Sequence, residues 1–283
     1  MSAASLAAFS ADVEDYYQVE ALRGLCPRER WNTFEDRVVA NTTRVLEILD
    51  ATGARGTFFV LGCVAERHPE LVTQIVSAGH EIASHGYWHE LVYNLSPEEF
   101  RADVRSSRAL LRDLSGQDVI GYRAPSYTIM ERTRWALPIL HEEGYRYDSS
   151  VFPIPRRRYG MPRAPRWPHR WELGDGREIA EFPLPTNRYG PINLPTTGGA
   201  YLRLLPFGMQ LGSIRSLVNH GRPFVLNIHP WELDPGQPRF EVGALTRWTH
   251  YHNLGKTEER VRALLALTRF RSQSDVLADL GIV

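Results

Sequence analysis

His85 and His89 stand four residues apart in Ser84-His85-Gly86-Tyr87-Trp88-His89. Two imidazoles at that spacing can converge on one metal ion, and one carboxylate would complete a three-ligand site with a position left for water. The carboxylates lie far upstream, in Asp12-Val13-Glu14-Asp15, just after an apolar run over residues 6–9 that reads as a first strand. Paired histidines alone are weak evidence. Matched to an acidic cluster at a strand end, they define a candidate site. On a strand Asp12 and Glu14 would face one side and Asp15 the other, although a loop at the strand end could reorient any of them.

Such a site needs strands that end where the motifs lie. Residues 42–52 carry apolar side chains at helical spacing and stop at Gly53, and Gly56-Thr57-Phe58-Phe59-Val60-Leu61 follows as a buried strand. Residues 69–78 read as a helix and Glu81-Ile82-Ala83-Ser84 as a short strand running into His85. Ser96-Pro97-Glu98-Glu99 opens another helix, with a capping serine and Pro at its first position, which carries to about residue 114. A strand returns over 119–122, a late buried strand over 223–229 ends in His229, and residues 257–268 form a final amphipathic helix. Strand and helix alternating in this way imply parallel strands with right-handed crossovers, and barrels place active sites at strand ends. The expected fold is α/β, a single irregular (β/α)7-type barrel over residues 1–283. A Pro-, Arg- and Trp-rich insertion near 153–170 would lie over the site.

The bulk properties exclude more than they assign. At 283 residues and 43% hydrophobic the chain can bury one full core. Basic and acidic residues both number 33, so no net field draws in nucleic acid or an anionic membrane. No apolar stretch reaches the 18 residues of an integral membrane segment. Cys26 and Cys63 form no CxxC, which fits a reducing compartment. The N-terminus lacks a basic segment and runs straight into the first strand, leaving no room for a removable leader. A cytoplasmic enzyme is expected. Oligomeric state leaves no mark on the sequence.

Together these motifs resemble the polysaccharide deacetylases of carbohydrate esterase family 4, which share the NodB homology domain. Asp12-Val13-Glu14-Asp15 resembles that family's acidic motif and Ser84-His85-Gly86-Tyr87-Trp88-His89 its metal-histidine motif. Arg123-Ala124-Pro125-Ser126-Tyr127 resembles its arginine motif, Tyr147-Asp148-Ser149-Ser150 its aspartate motif and Leu226-Asn227-Ile228-His229 its Leu-x-His motif. Gly198-Gly199-Ala200-Tyr201-Leu202-Arg203-Leu204-Leu205-Pro206 and Tyr251-His252-Asn253-Leu254-Gly255 are similar to phrases of a subgroup found with bacterial exopolysaccharide (exosortase-associated) systems.

The resemblance implies a hydrolase that removes acetyl groups, N-acetyl first, from sugars of an exopolysaccharide or its precursor. One divalent ion would assist: Zn²⁺ first, with Co²⁺ or Ni²⁺ also suited to a His₂-carboxylate set. The acidic motif departs from the family's adjacent Asp-Asp pair. Aligned without a gap, Glu14 is the base and Asp15 the metal ligand. Aligned on the first aspartate, Asp12 is the base and either Glu14 or Asp15 reaches the metal. The reading adopted takes Asp12 as base and Asp15, His85 and His89 as ligands. Arg123 would orient the base, Asp148 would balance Arg123, and a backbone N–H near Tyr127 would hold the oxyanion. His229 would protonate the leaving amine, which its ordinary pKa allows. Tyr127 and Trp231, with Tyr16, Tyr17 and Trp88, are candidate sugar-stacking rings. The rival readings are an allantoinase-like amidohydrolase on the same scaffold and a non-catalytic sugar-binding protein.

Overall fold

Alternation along the first strand sorts the molecule into layers. The computed structural model describes residues 5–283 apart from residue 191. The four N-terminal residues, part of the stretch read above for a leader, lie outside the described residues. In β1 (Ala7–Val13), Ala7, Phe9, Ala11 and Val13 join the apolar layer shared with the surrounding helices. Ala8 instead packs on Phe59, Ala83 and Val225 in a second, smaller cluster, and Ser10 and Asp12 continue that second face toward the strand's end.

The remaining strands are β2 (Thr57–Val60), β3 (Glu81–Ser84), β4 (Gly121–Tyr122), β5 (Tyr147–Asp148), β6 (His169–Gly174), β7 (Arg177–Glu181), β8 (Thr186–Tyr189), β9 (Ile192–Pro195), β10 (Phe224–Ile228) and β11 (Phe270–Arg271). The main sheet runs β10-β1-β2-β3-β4-β5-β7-β6, with β11 also pairing β1. Every pair in it is parallel except the β6–β7 hairpin. β8 and β9 form a separate antiparallel ribbon. This is the irregular (β/α) barrel that the alternation of elements implies. Strands β1, β2, β3, β4, β5 and β10 all deliver their C-terminal ends to one rim, carrying Asp12, Ser84, Tyr122, Asp148 and Ile228 there.

The helices are α1 (Val38–Thr52), α2 (Gly62–Arg67), α3 (Pro69–Ser77), α4 (Pro97–Ser115), α5 (Ala136–Glu142), α6 (Ala200–Leu204), α7 (Phe207–Asn219), α8 (Ala244–Tyr251), α9 (Leu254–Leu265) and α10 (Gln273–Asp279). α4 starts as its sequence indicates: Ser96 Oγ accepts from the Glu99 N–H while the Glu99 carboxylate accepts from the Ser96 N–H. α1 begins four residues before the expected helix over 42–52. Its first amides, on Arg37 and Val38, are satisfied by Asp15, a residue too remote in sequence to read as a cap. The helix expected last is not last. Beyond α9, β11 adds to the sheet and α10 plugs the barrel, with Val276 and Leu277 against Ala8, Phe59 and Val225.

Residues 153–168 carry no helix or strand. Phe152, Ile154 and Leu184 form a small cluster against Tyr127, Tyr159 and Tyr201, so this segment leans on the loop that follows Arg123. Among the described residues, no helix is long and apolar enough to cross a membrane.

Candidate active site

The strand ends bring one carboxylate to the two histidines, and it is Glu14. One ligand atom from each of Glu14, His85 and His89 lies within 4.8 Å of the others, and all three residues are buried. His85 sits at the end of β3, and its Nδ1 is 2.8 Å from the Arg123 carbonyl, which fixes the ring and turns Nε2 to the cluster. His89 follows a turn that requires glycine: Gly86 has φ +77°, and a Cβ there would meet the Asp103 carboxylate at 2.9 Å. His89 itself has φ +55°, as do Ser126 and Tyr127 at +52° and +56°. Non-glycine residues held in this region cluster at functional sites.

The donor set fits a divalent metal. His89 Nε2 lies 2.7 Å from Glu14 Oε2, yet that oxygen is buried without a properly directed hydrogen-bond donor. Two such lone-pair atoms side by side suit a shared cation better than a hydrogen bond. Glu14 is steered from behind, since Trp231 Nε1–H donates to its other oxygen at 3.1 Å. Burial pushes the Glu14 carboxyl up, but His89, with His229 and His85, outweighs it and draws the pKa down to about 2. Burial lowers His85 to about 4, leaving a neutral imidazole suited to ligation.

Asp15, the ligand favoured from sequence, is turned away. Its Oδ2 accepts from the Arg37 and Val38 amides at 2.7 and 2.9 Å, and Oδ1 from the Tyr16 amide at 2.8 Å. Burial raises its pKa to about 7 against the pull of those amides. Asp15 follows β1 and turns away from Asp12 and Glu14, and the alternative alignment with Glu14 at the metal fits the geometry.

Asp12 stands beside this cluster on β1. Arg123 Nη1 donates to its Oδ1 at 2.6 Å, and Asn227 Nδ2 to its Oδ2 at 3.2 Å. Arg123 is fully buried, its guanidinium 4.0 Å from the Phe59 ring centroid, and it also donates to Ser10, Asn227 and Ser149. Burial works against the Asp12 carboxylate, yet Arg123, then His85 and His229, hold its pKa below the usual range. His229 Nε2 approaches Asp12 Oδ2 at 3.5 Å and Glu14 Oε1 at 3.8 Å. Its Nδ1 is 3.0 Å from Glu232 Oε2. Burial opposes the imidazolium, but Glu232 foremost, with Glu14 and Asp12, raises His229 to about 9.

Two expected roles, those of Asp148 and Trp231, do not match the geometry. Asp148 does not touch Arg123: Ser149, its neighbour, does. The Asp148 carboxylate accepts from Ser150 Oγ and lies against Glu181, and burial raises it to about 6. Trp231 is only 5% exposed, stacked between His229 and His250, so it offers no free ring to a sugar. The Tyr127 amide is committed to the Ala124 carbonyl, and its phenol oxygen accepts from Asn227 Nδ2 at 2.6 Å. The ring exposed near the metal site is Trp88, 40% exposed, with Arg28 stacked over it at 5.1 Å. With Trp31 and His89 it lines a cleft of about 260 Å³.

Sequence reasoning assigns no role to Asn227 or Glu232. Asn227 was legible, two residues before His229 and so on the same strand face. Glu232 follows β10 in the turn Pro230–Leu233, where a sequence reads only as a loop.

The buried Asp148–Glu181 pair makes a separate prediction. Both carboxyls are raised by burial, Glu181 further by Asp148. The unfolded chain sheds these protons near pH 4 and the folded one only near pH 6 or above, so stability falls as pH rises through that window. Glu181→Gln should therefore raise the melting temperature at pH 8, by about 1–3 kcal/mol of stability, and change it little at pH 5. A gain equal at both pH values would show that the two carboxyls are not raised in the folded protein.

Residues 26–147 match the family described as "Polysaccharide deacetylase", and residues 149–278 match a "Domain of unknown function" family. A peptidoglycan deacetylase-like protein of Gibberella zeae is 36% identical over 110 residues, 38% of this chain and 32% of its own length. A peptidoglycan-N-acetylglucosamine deacetylase of Bacillus cereus is 31% identical over 96 residues, 34% of this chain and 35% of its own. The chain thus spans about a third of the length of these curated relatives. A putative polysaccharide deacetylase from Mycobacterium smegmatis shares the fold, with TM-score 0.65 and 23% identity over 98% of this chain and 89% of that one. The match to the polysaccharide deacetylase family covers the segment that holds His85, His89 and Arg123, and the Mycobacterium smegmatis protein shares the barrel.

Proposed function

We propose that this protein is a metal-dependent deacetylase acting on N-acetylated sugar residues, in an exopolysaccharide or its precursor. One observation carries the reading: Asp12, locked by Arg123, and His229 flank the Glu14–His85–His89 cluster from the same rim. A bound divalent ion, Zn²⁺ first and Co²⁺ or Ni²⁺ next, supplies a water of lowered pKa and polarises the acetyl carbonyl. Asp12 is ionised at neutral pH and hydrogen-bonded on both oxygens, so it is oriented to take a proton from the attacking water. His229, carrying a proton at Nε2, is placed to give it to the departing amine nitrogen. The cleft beside His89, with Trp88 half-exposed on its wall, would take the flanking sugars. The exopolysaccharide assignment rests on the Gly198–Pro206 and Tyr251–Gly255 phrases, and the cytoplasmic assignment on unbridged Cys26 and Cys63.

The test joins metal analysis to acetate release from N-acetylated oligosaccharides of defined sugar. About one divalent ion per chain is expected, with activity lost on chelation and restored by the ion. Full activity after thorough chelation, or metal without any acetate release, would overturn the reading. His229→Ala should lower turnover of N-acetyl substrates by on the order of 10²–10⁴-fold, because an amine leaves poorly without a proton. An activated acetyl ester, whose leaving group needs no acid, should be hydrolysed nearly as before, with metal content intact. Equal losses on both substrates would remove His229 from the acid's place.

A further inference from the structure

We propose that Glu232, backed by Arg203, is the positioning residue for His229, and that supplying this support is one role of the segment matching the family of unknown function. The inference rests on the reading of His229 as the acid. Asp148, expected from sequence to balance Arg123, lies against Ser150 and Glu181. The carboxylate that meets His229 is Glu232, three residues on.

The geometry is that of a clamp. Glu232 Oε2 accepts from the His229 backbone N–H at 2.9 Å and sits 3.0 Å from His229 Nδ1, so one oxygen fixes both the main chain and the ring. Nδ1 must then carry its proton toward Glu232, which presents Nε2 to Asp12 and Glu14. The other carboxylate oxygen accepts from Arg203 Nε at 2.7 Å. Both partners are buried, at 1% and 0% side-chain exposure. Arg203 is itself fixed, because its Nη1 donates to the carbonyls of Thr249, His250 and His252. Its guanidinium lies 5.2 Å from the Trp231 ring centroid. Trp231 completes the frame, stacked on His229 at 5.5 Å on one face and on His250 at 4.5 Å on the other.

Every member of this frame falls within residues 149–278, while His85, His89 and Arg123 fall within 26–147. The two matched segments therefore share the site, with Asp12 and Glu14 preceding both: the first brings two histidines of the metal cluster and the arginine, and the second brings the acid with its support. A buried Arg–Glu pair that served only stability would be replaceable by apolar groups. Here one oxygen of the pair is spent on the imidazole.

A double-mutant cycle separates positioning from packing. Glu232→Gln keeps the shape but not the charge, and should lower kcat on an N-acetylated oligosaccharide about 10–100-fold with KM and metal content unchanged. In the His229→Ala background the same change should cost less than about 2-fold, since it acts only through the imidazole. Arg203→Met with Glu232→Gln removes both buried charges together, so it should recover folding stability while keeping the kcat loss. If Glu232→Gln costs as much without His229 as with it, the residue is structural and the proposal fails. Independently of activity, ¹⁵N-histidine NMR should show a strongly deshielded His229 Nδ1–H in the parent and not in Glu232→Gln. An unchanged resonance would also overturn the proposal. A parent protein that releases no acetate but keeps this resonance would overturn the deacetylase reading and leave the clamp standing.

Discussion

Glu14→Gln should strip the metal, whereas Asp15→Asn should leave it in place. Outer partners of metal ligands are worth about 10–100-fold in affinity, so losing a ligand carboxylate should cost on the order of 100-fold or more. The substituted amide keeps a carbonyl oxygen to accept from Trp231 Nε1–H, so the loop should hold its shape and the loss can be assigned to the missing charge. Activity should fall in proportion to occupancy and recover partly at high metal concentration. Asp15→Asn touches a different link in the chain of causes. It weakens the anchor for the first amides of α1, worth about 1–3 kcal/mol, and should lower the melting temperature without altering metal content. Metal titration and thermal unfolding of the two variants decide the matter. If Asp15→Asn lost the ion and Glu14→Gln kept it, the ligand set drawn from the geometry would be wrong.

Asp15 also marks where sequence reasoning stops. Alternation along β1 reaches only Val13; Glu14 and Asp15 follow the strand, where the Glu14 N–H donates to the Asp12 carbonyl at 3.0 Å, and there Glu14 turns to the histidines while Asp15 turns away. What Asp15 does there depends on α1 arriving with two free amides 22 and 23 residues later, and nothing local announces that. The histidine pair, Arg123 and His229 were legible because each closes or follows a strand, and strand ends are set by apolar runs that can be read directly. The barrel was legible for the same reason.

Trp231 and Asp148 were misread by the converse logic. An aromatic after a strand end suggests a sugar platform, but its exposure depends on α8, which lays His250 over the ring. An aspartate at the end of β5 suggests an ion partner for Arg123, but Glu181 arrives beside it on β7 and the two acids hold each other. The late strand β11 and helix α10 were missed because two residues of strand and seven of helix carry too little periodicity to register.

Asp12→Asn should lower turnover by on the order of 10²–10⁴-fold while metal content stays at about one ion per chain, because Asp12 lies outside the ligand cluster. Two consequences follow from its surroundings. The new amide keeps an acceptor for Arg123 Nη1, but its NH₂ would then face the Asn227 amide across 3.2 Å, donor against donor. Arg123 would also lose its carboxylate partner while remaining fully buried, a change that typically costs about 3–5 kcal/mol. The variant should therefore be both slow and less stable, and the two effects must be separated. Turnover measured well below its melting temperature, where the variant is folded and metal-loaded, isolates the loss of the base. The double variant Asp12→Asn with Arg123→Met should regain stability without regaining turnover. If that double variant hydrolysed N-acetyl substrates at the parent rate, Asp12 would be a structural counter-ion for Arg123, and the base would have to be sought among the remaining carboxylates at the rim.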